Sequence, residues 1–83
     1  MTTPDNAPAK LSLQAINPQV FSVLTAEGEQ VGNLKLIGGV WKFKAIGFEA
    51  DGAVVPGGGP LTDRHNMVFA AADEALVSRG LAL

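Results

Sequence analysis

The sequence predicts an α+β fold: a small antiparallel β-meander of three or four strands covered by one C-terminal α-helix. Three observations carry this prediction. Apolar segments of strand length flank the pair Gly38-Gly39, a periodic apolar stripe follows a glycine-rich crossover, and no internal repeat or sustained heptad points to another architecture.

Taken in order, residues 1–10 (MTTPDNAPAK) are rich in Pro, Thr, Asp, Asn and Ala and read as a flexible tail, leaving 11–83 as a single domain. The next segment, LSLQAI, suits either a short strand or a helical turn. Asn17-Pro18 punctuates it, because proline disfavours a helical conformation at the residue before it. Val20 to Thr25 is rich in strand formers, and Glu27-Gly28 makes a turn into the following strand. If Ala26 and Glu29 flank that turn, Phe21 falls opposite Leu34 and Val23 opposite Gly32, subject to a one-residue shift at a bulge.

The central stretch is Val31 to Phe48, VGNLKLIGGVWKFKAIGF. Two glycines in succession supply the positive φ values that a two-residue hairpin turn demands. The turn sets a register in which Ile37 faces Val40, Leu36 faces Trp41, Lys35 faces Lys42, Leu34 faces Phe43, Asn33 faces Lys44 and Gly32 faces Ala45. Alternation then puts Leu34, Leu36, Trp41 and Phe43 on a core face and Lys35, Lys42 and Lys44 on the other. Asp51-Gly52 offers a further turn that returns Ala53-Val54-Val55 along the end of the Trp41 strand, with Pro56 ending the pairing because it has no donor for the ladder.

The cover is expected from Asp63 to Arg79, with Thr62 as N-cap, Asp63 in the first turn, Arg79 at the C-terminal end and Gly80 terminating the helix. His65, Phe69, Ala72 and Leu76 form its inward stripe, with Val68 and Ala75 beside it. Packing Phe69, Ala72 and Leu76 on Phe21, Leu34, Trp41 and Phe43 closes a two-layer domain.

Composition narrows the function classes. A chain of 83 residues, 47% hydrophobic, builds one modest core. Its formal net charge of −2 does not suggest a generic polyanion binder, yet allows a local basic patch. With no cysteine there is no disulfide, thiolate nucleophile or cysteine-ligated metal, which is compatible with a reducing compartment and a cytoplasmic location. No basic start followed by a long apolar run suggests a secretion signal or a membrane anchor, and no membrane partner is expected.

Three groups of residues are candidates for function. Gly57, Gly58 and Gly59, with Thr62 and Arg64, would bind a small anion if the glycine N–H groups formed a concavity at the start of a helix. The segment lacks the spacing and lysine of a phosphate loop and the GxGxxG of a dinucleotide site, so no cofactor is expected. Lys35, Lys42 and Lys44 would attract phosphate backbones, which makes nucleic acid the second reading. Val31, Ile37, Val40, Ile46 and Phe48 share the lysine-bearing face and make it a mixed apolar and basic surface for a protein partner or weak self-association. This protein-interaction reading leads. Asp63, Arg64 and His65 lie near the loop, but no nucleophile, metal-ligand cluster or triad spacing accompanies them. His65 reads as a hydrogen-bonded packing residue and Asp73-Glu74 as helix surface, so no catalytic residue is assigned and an enzyme is not the expected class.

Overall fold

The structure, a computed structural model, describes residues 10–81; of the tail expected over residues 1–10, all but Lys10 lies outside the described residues, as do 82–83. Six strands and one helix occur among the described residues: β1 (Ser12–Asn17), β2 (Val20–Leu24), β3 (Gln30–Ile37), β4 (Val40–Phe48), β5 (Val54–Pro56), β6 (Val68–Phe69) and α1 (Glu74–Leu81), with a 3-10 turn at Thr62–Arg64. The α+β class of the sequence reading holds, with a larger sheet. The strands run in the order β1-β2-β3-β4-β5, and β6 also pairs with β4.

The β3–β4 hairpin has the register that its turn dictates, from Ile37 opposite Val40 to Gly32 opposite Ala45. Gly38 and Gly39 have φ of 59° and 84°, the two left-handed residues of a primed turn. On β2, Phe21 faces Leu34 and Val23 faces Gly32, and a bulge then shifts Leu24 onto Gln30. LSLQAI resolves as a strand: β1 lies against β2, with Leu13 opposite Val23 and Ala15 opposite Phe21.

The other edge of β4 holds the main departure from the expected helix. Residues 65–69 run beside β4 instead of coiling: the Asn66 N–H donates to the Phe43 carbonyl at 2.7 Å and the Phe43 N–H to the Met67 carbonyl at 2.7 Å. Trp41 then pairs with Phe69 and Lys42 with Val68. An unpaired edge on a central strand leaves buried polar groups, and satisfying them outweighs local helical periodicity. Asn66 makes the reversal with φ of 73°, a left-handed value that asparagine tolerates better than most residues. Between β5 and β6 the ladder has a gap, filled by a side chain. His65 Nδ1 accepts the Ala45 N–H at 3.1 Å, while the Gly57 N–H donates to the Ala45 carbonyl at 2.7 Å.

The helix is therefore short and starts eleven residues later than expected, at Glu74 rather than Asp63. Asp73, not Thr62, caps it: its carboxylate accepts the Leu76 N–H at 2.9 Å and its carbonyl the Val77 N–H at 2.9 Å. Gly80 sits inside the last turn instead of ending the helix, and the Phe69 ring occupies the space that a Cβ there would need. Val77 and Leu81 are fully buried, with Leu76 and Ala72 partly so. Together with Leu11, Val23, Leu34, Phe43 and Phe69 they form the core. The helix also caps the outer edge of β1, where the Leu11 N–H donates to Ser78 Oγ and the Leu13 N–H to Glu74 Oε2, both at 3.0 Å. Those bonds satisfy outward-facing donors of an edge strand.

The expected core face is confirmed at Leu34 and Phe43 and corrected at its tip. Leu36 is exposed, because an eight-residue helix does not reach the hairpin turn. Trp41 is half-buried, with its ring edge-to-face on Phe21 at 5.3 Å between centroids.

Candidate interaction face

Directly paired residues in a sheet share a face, so the registers define rows of side chains across the strands. On the lysine-bearing face, Val20 pairs with Lys35, Lys35 with Lys42 and Lys42 with Val68, which makes one row over β2, β3, β4 and β6. The adjacent row is polar throughout: Gln14, Ser22, Asn33 and Lys44. Gln30 Nε2 ties part of it down by donating to Asn33 Oδ1 at 2.9 Å and Ser22 Oγ at 3.3 Å. Ile37 and Val40 lie beyond the lysine row, at the hairpin tip.

The three lysines differ. Lys44 is half-buried and donates from Nζ to Asn66 Oδ1 at 2.6 Å. Lys35 is exposed and Lys42 half-buried, and neither has an ion-pair partner among the described residues. None of the strands contains an aspartate or glutamate. The acids in the turns next to β3 and β4 stand at the far end, Glu27 and Glu29 before β3 and Glu49 and Asp51 after β4, while Glu74 is bonded to the edge of β1 and Asp63 lies in the 3-10 turn.

The apolar neighbours of the lysines divide into two sets. Ile37 is 44% exposed, Phe48 is exposed and Val40 is half-buried. Val31 and Ile46, expected on an open surface, are only 4% and 8% exposed. The chain returning through 57–66 packs against this end of the sheet. Gly59 approaches so closely that a Cβ there would stand 2.0 Å from the Ile46 carbonyl oxygen, and Leu61 joins the buried cluster that contains Val31. What stays open at this end is a cleft of about 410 Å³ between Val31, Ile46 and Phe48 on the sheet and Gly59 and Pro60 on the crossover. Sequence reasoning missed Val68, which is 51% exposed and completes the lysine row. Its signal is the two-residue alternation with buried Phe69, legible once those residues are read as a strand rather than a helix.

The glycine-rich loop spends its donors internally. The Gly57 N–H is bonded to Ala45, the Gly58 N–H donates to the Val55 carbonyl at 3.1 Å, and the Thr62 hydroxyl donates to the Gly57 carbonyl at 2.6 Å. The Gly57 bond ties the crossover to β4, while the Gly58 and Thr62 bonds close local turns within residues 55–62, so these three donors already have partners inside the fold. No α-helix begins there either, only the 3-10 turn that includes Arg64.

Among the described residues no group of three or more His, Asp or Glu side chains is placed to hold a metal ion, and no helix is long and apolar enough to cross a membrane. His65 is engaged through Nδ1, so that nitrogen is an acceptor and the ring proton sits on Nε2. Compared with protein-family models, curated proteins and solved structures, the chain gives no match, so its own geometry carries the functional reading.

Proposed function

We propose that this domain is a noncatalytic protein-interaction module that docks its partner on the open end of the lysine-bearing face. The observation that supports this is the row Val20, Lys35, Lys42 and Val68, with Ile37 and Val40 beside it: aliphatic side chains at both ends, two ammonium groups between them, and no acid on any strand to neutralise them. Aliphatic groups set around unneutralised charge, Ile37 and Val68 exposed and Val20 and Val40 half-buried, suit a partner that is itself both apolar and charged.

Nucleic acid is the second reading, favoured by the three lysines on one face. Against it, Lys44 is held by Asn66, and the aromatic Trp41 and Phe21 lie on the opposite face, away from any base that would stack beside the lysines.

Site-specific crosslinking distinguishes the two. A photoreactive residue at Ile37 or Val68 should capture a discrete protein partner, while the same probe at Glu49, at the far end, should not. Capture only of a second copy of this chain would assign the face to self-association. Crosslinks confined to oligonucleotide, lost in moderate salt, would replace the proposal with the nucleic-acid reading.

A further inference from the structure

The lysine row runs across the strands, and its spacing carries information about what fits it. Successive members lie on neighbouring strands, about 4.8 Å apart, so Val20 to Val68 spans about 14 Å. An α-helix rises 1.5 Å per residue, so its positions i, i+3, i+7 and i+10 share one face and span about 15 Å. An extended strand crossing the row would present same-face side chains only every 6.6 Å or so, and would lose register after one step.

Resting on the protein-interaction reading above, we infer that the partner is an amphipathic acidic helix. It lies across the strands, with aliphatic residues at i and i+10 against Val20 and Val68 and carboxylates at i+3 and i+7 against Lys35 and Lys42. Charge complementarity selects this occupant. Lys35 and Lys42 are direct cross-strand neighbours, so their like charges repel, and nothing on the strands offsets them. Two carboxylates one helical turn apart meet both ammonium groups at once. The aliphatic ends exclude water from those contacts and strengthen them. The polar row of Gln14, Ser22, Asn33 and Lys44 borders the helix on one side, and Ile37 and Val40 border it on the other.

The test uses a stapled helical peptide with leucine at i and i+10 and glutamate at i+3 and i+7, titrated into the protein while backbone amide shifts are followed. Saturable shifts at residues 20, 35, 42 and 68, absent at residues 49–53, are expected. Lys35→Glu with Lys42→Glu should weaken binding at least about tenfold. The same variant should bind a peptide carrying lysines at i+3 and i+7, a rescue that mere damage to the surface does not produce. Val68→Asp gives an independent loss, with unchanged amide shifts at Val23 and Val77, away from the substituted strand, as the check on folding. If the acidic peptide produces no localised shifts, the helix inference is overturned. If a proline-interrupted peptide of the same composition binds equally well at the same amides, the helix is overturned while the protein-interaction reading stands. Oligonucleotides shifting these amides where neither peptide does would overturn both.

Discussion

At the end of β3 and β4 nearest the acidic turns, the lysine-bearing face carries Val31 and Ile46, and both are buried; at the hairpin end it carries Ile37 and Val68, and both are about half exposed. The side chains are of similar size and polarity, so their own hydrophobicity does not decide the outcome. What differs is the chain laid beside them. The crossover after β5 brings Gly59 against the Ile46 backbone and Leu61 into the buried cluster of Val31, and it leads into residues 65–69, which fill the edge of β4; no described segment crosses the second pair. At one end Val31 and Ile46 have become part of the core beneath a cleft flanked by exposed Phe48, and the other end has kept apolar groups exposed beside the lysines at a cost in hydration that a binding surface would justify.

The contrast is most easily broken at Gly59. Its φ is 87° and a Cβ there would collide with the Ile46 backbone, so Gly59→Ala should lift the crossover off the sheet. A strained backbone and a backbone clash together predict a loss of roughly 3 to 4 kcal/mol in equilibrium unfolding. A change under about 1 kcal/mol would mean that the crossover does not seal this end.

Leu61→Ala probes the same seal from within. Removing most of a side chain that is buried with Val31 should destabilise by about 2 to 3 kcal/mol and increase hydrogen exchange at Val31 and Ile46, while Ile37 and Val68 stay as they were. Equal effects at the two ends would show that they are not energetically distinct. His65→Leu should cost less, roughly 1 to 2 kcal/mol, by leaving the Ala45 N–H without its acceptor in a place where Ala45 itself is buried. Exchange of the Ala45 amide is the direct readout; an unchanged rate would show that the ladder gap does not depend on the imidazole.

How far the sequence makes this legible depends on the range of the contacts. The β3–β4 register is set by two adjacent glycines, and the β2 register by the next turn, so Phe21, Leu34 and Phe43 are placed correctly from local signals. Edge pairing of β4 is different. It brings Asn66 to Phe43 and Phe69 to Trp41 across more than twenty residues, with no turn to announce it, while the spacing of Phe69, Ala72 and Leu76 imitates a helix face. The proposed interaction face inherits that error: the three lysines and Ile37 are legible, Val68 is not, and Val31 and Ile46 look available because nothing local reports the arrival of Gly59 and Leu61. The glycine loop misleads for a related reason. Its flexibility serves a close approach to Ile46 and Gly47, contacts that its own sequence does not display.

The smallest expected effect separates stability from function at the open end. Lys35 and Lys42 face one another across the hairpin, and like charges in that position are mildly destabilising. Lys35→Glu converts the pair to an attraction on an exposed surface, so the variant should be more stable than the starting protein by about 0.2 to 0.5 kcal/mol at low salt. Raising the salt should shrink that gain, because the Lys35 side chain is in solvent and its interaction is screened. Stability and binding should then move in opposite directions: the substitution improves the fold while weakening capture of an acidic partner. Residues that serve only the fold do not behave this way, whereas a binding site keeps groups in arrangements that the isolated domain would not choose. The measurement is a pair of unfolding curves at low and high salt for each protein, set beside the peptide titration. Equal stability at both salt concentrations would show that the two ammonium groups already avoid one another. A gain in stability with undiminished peptide binding would place the contact on Lys42 and the aliphatic residues alone.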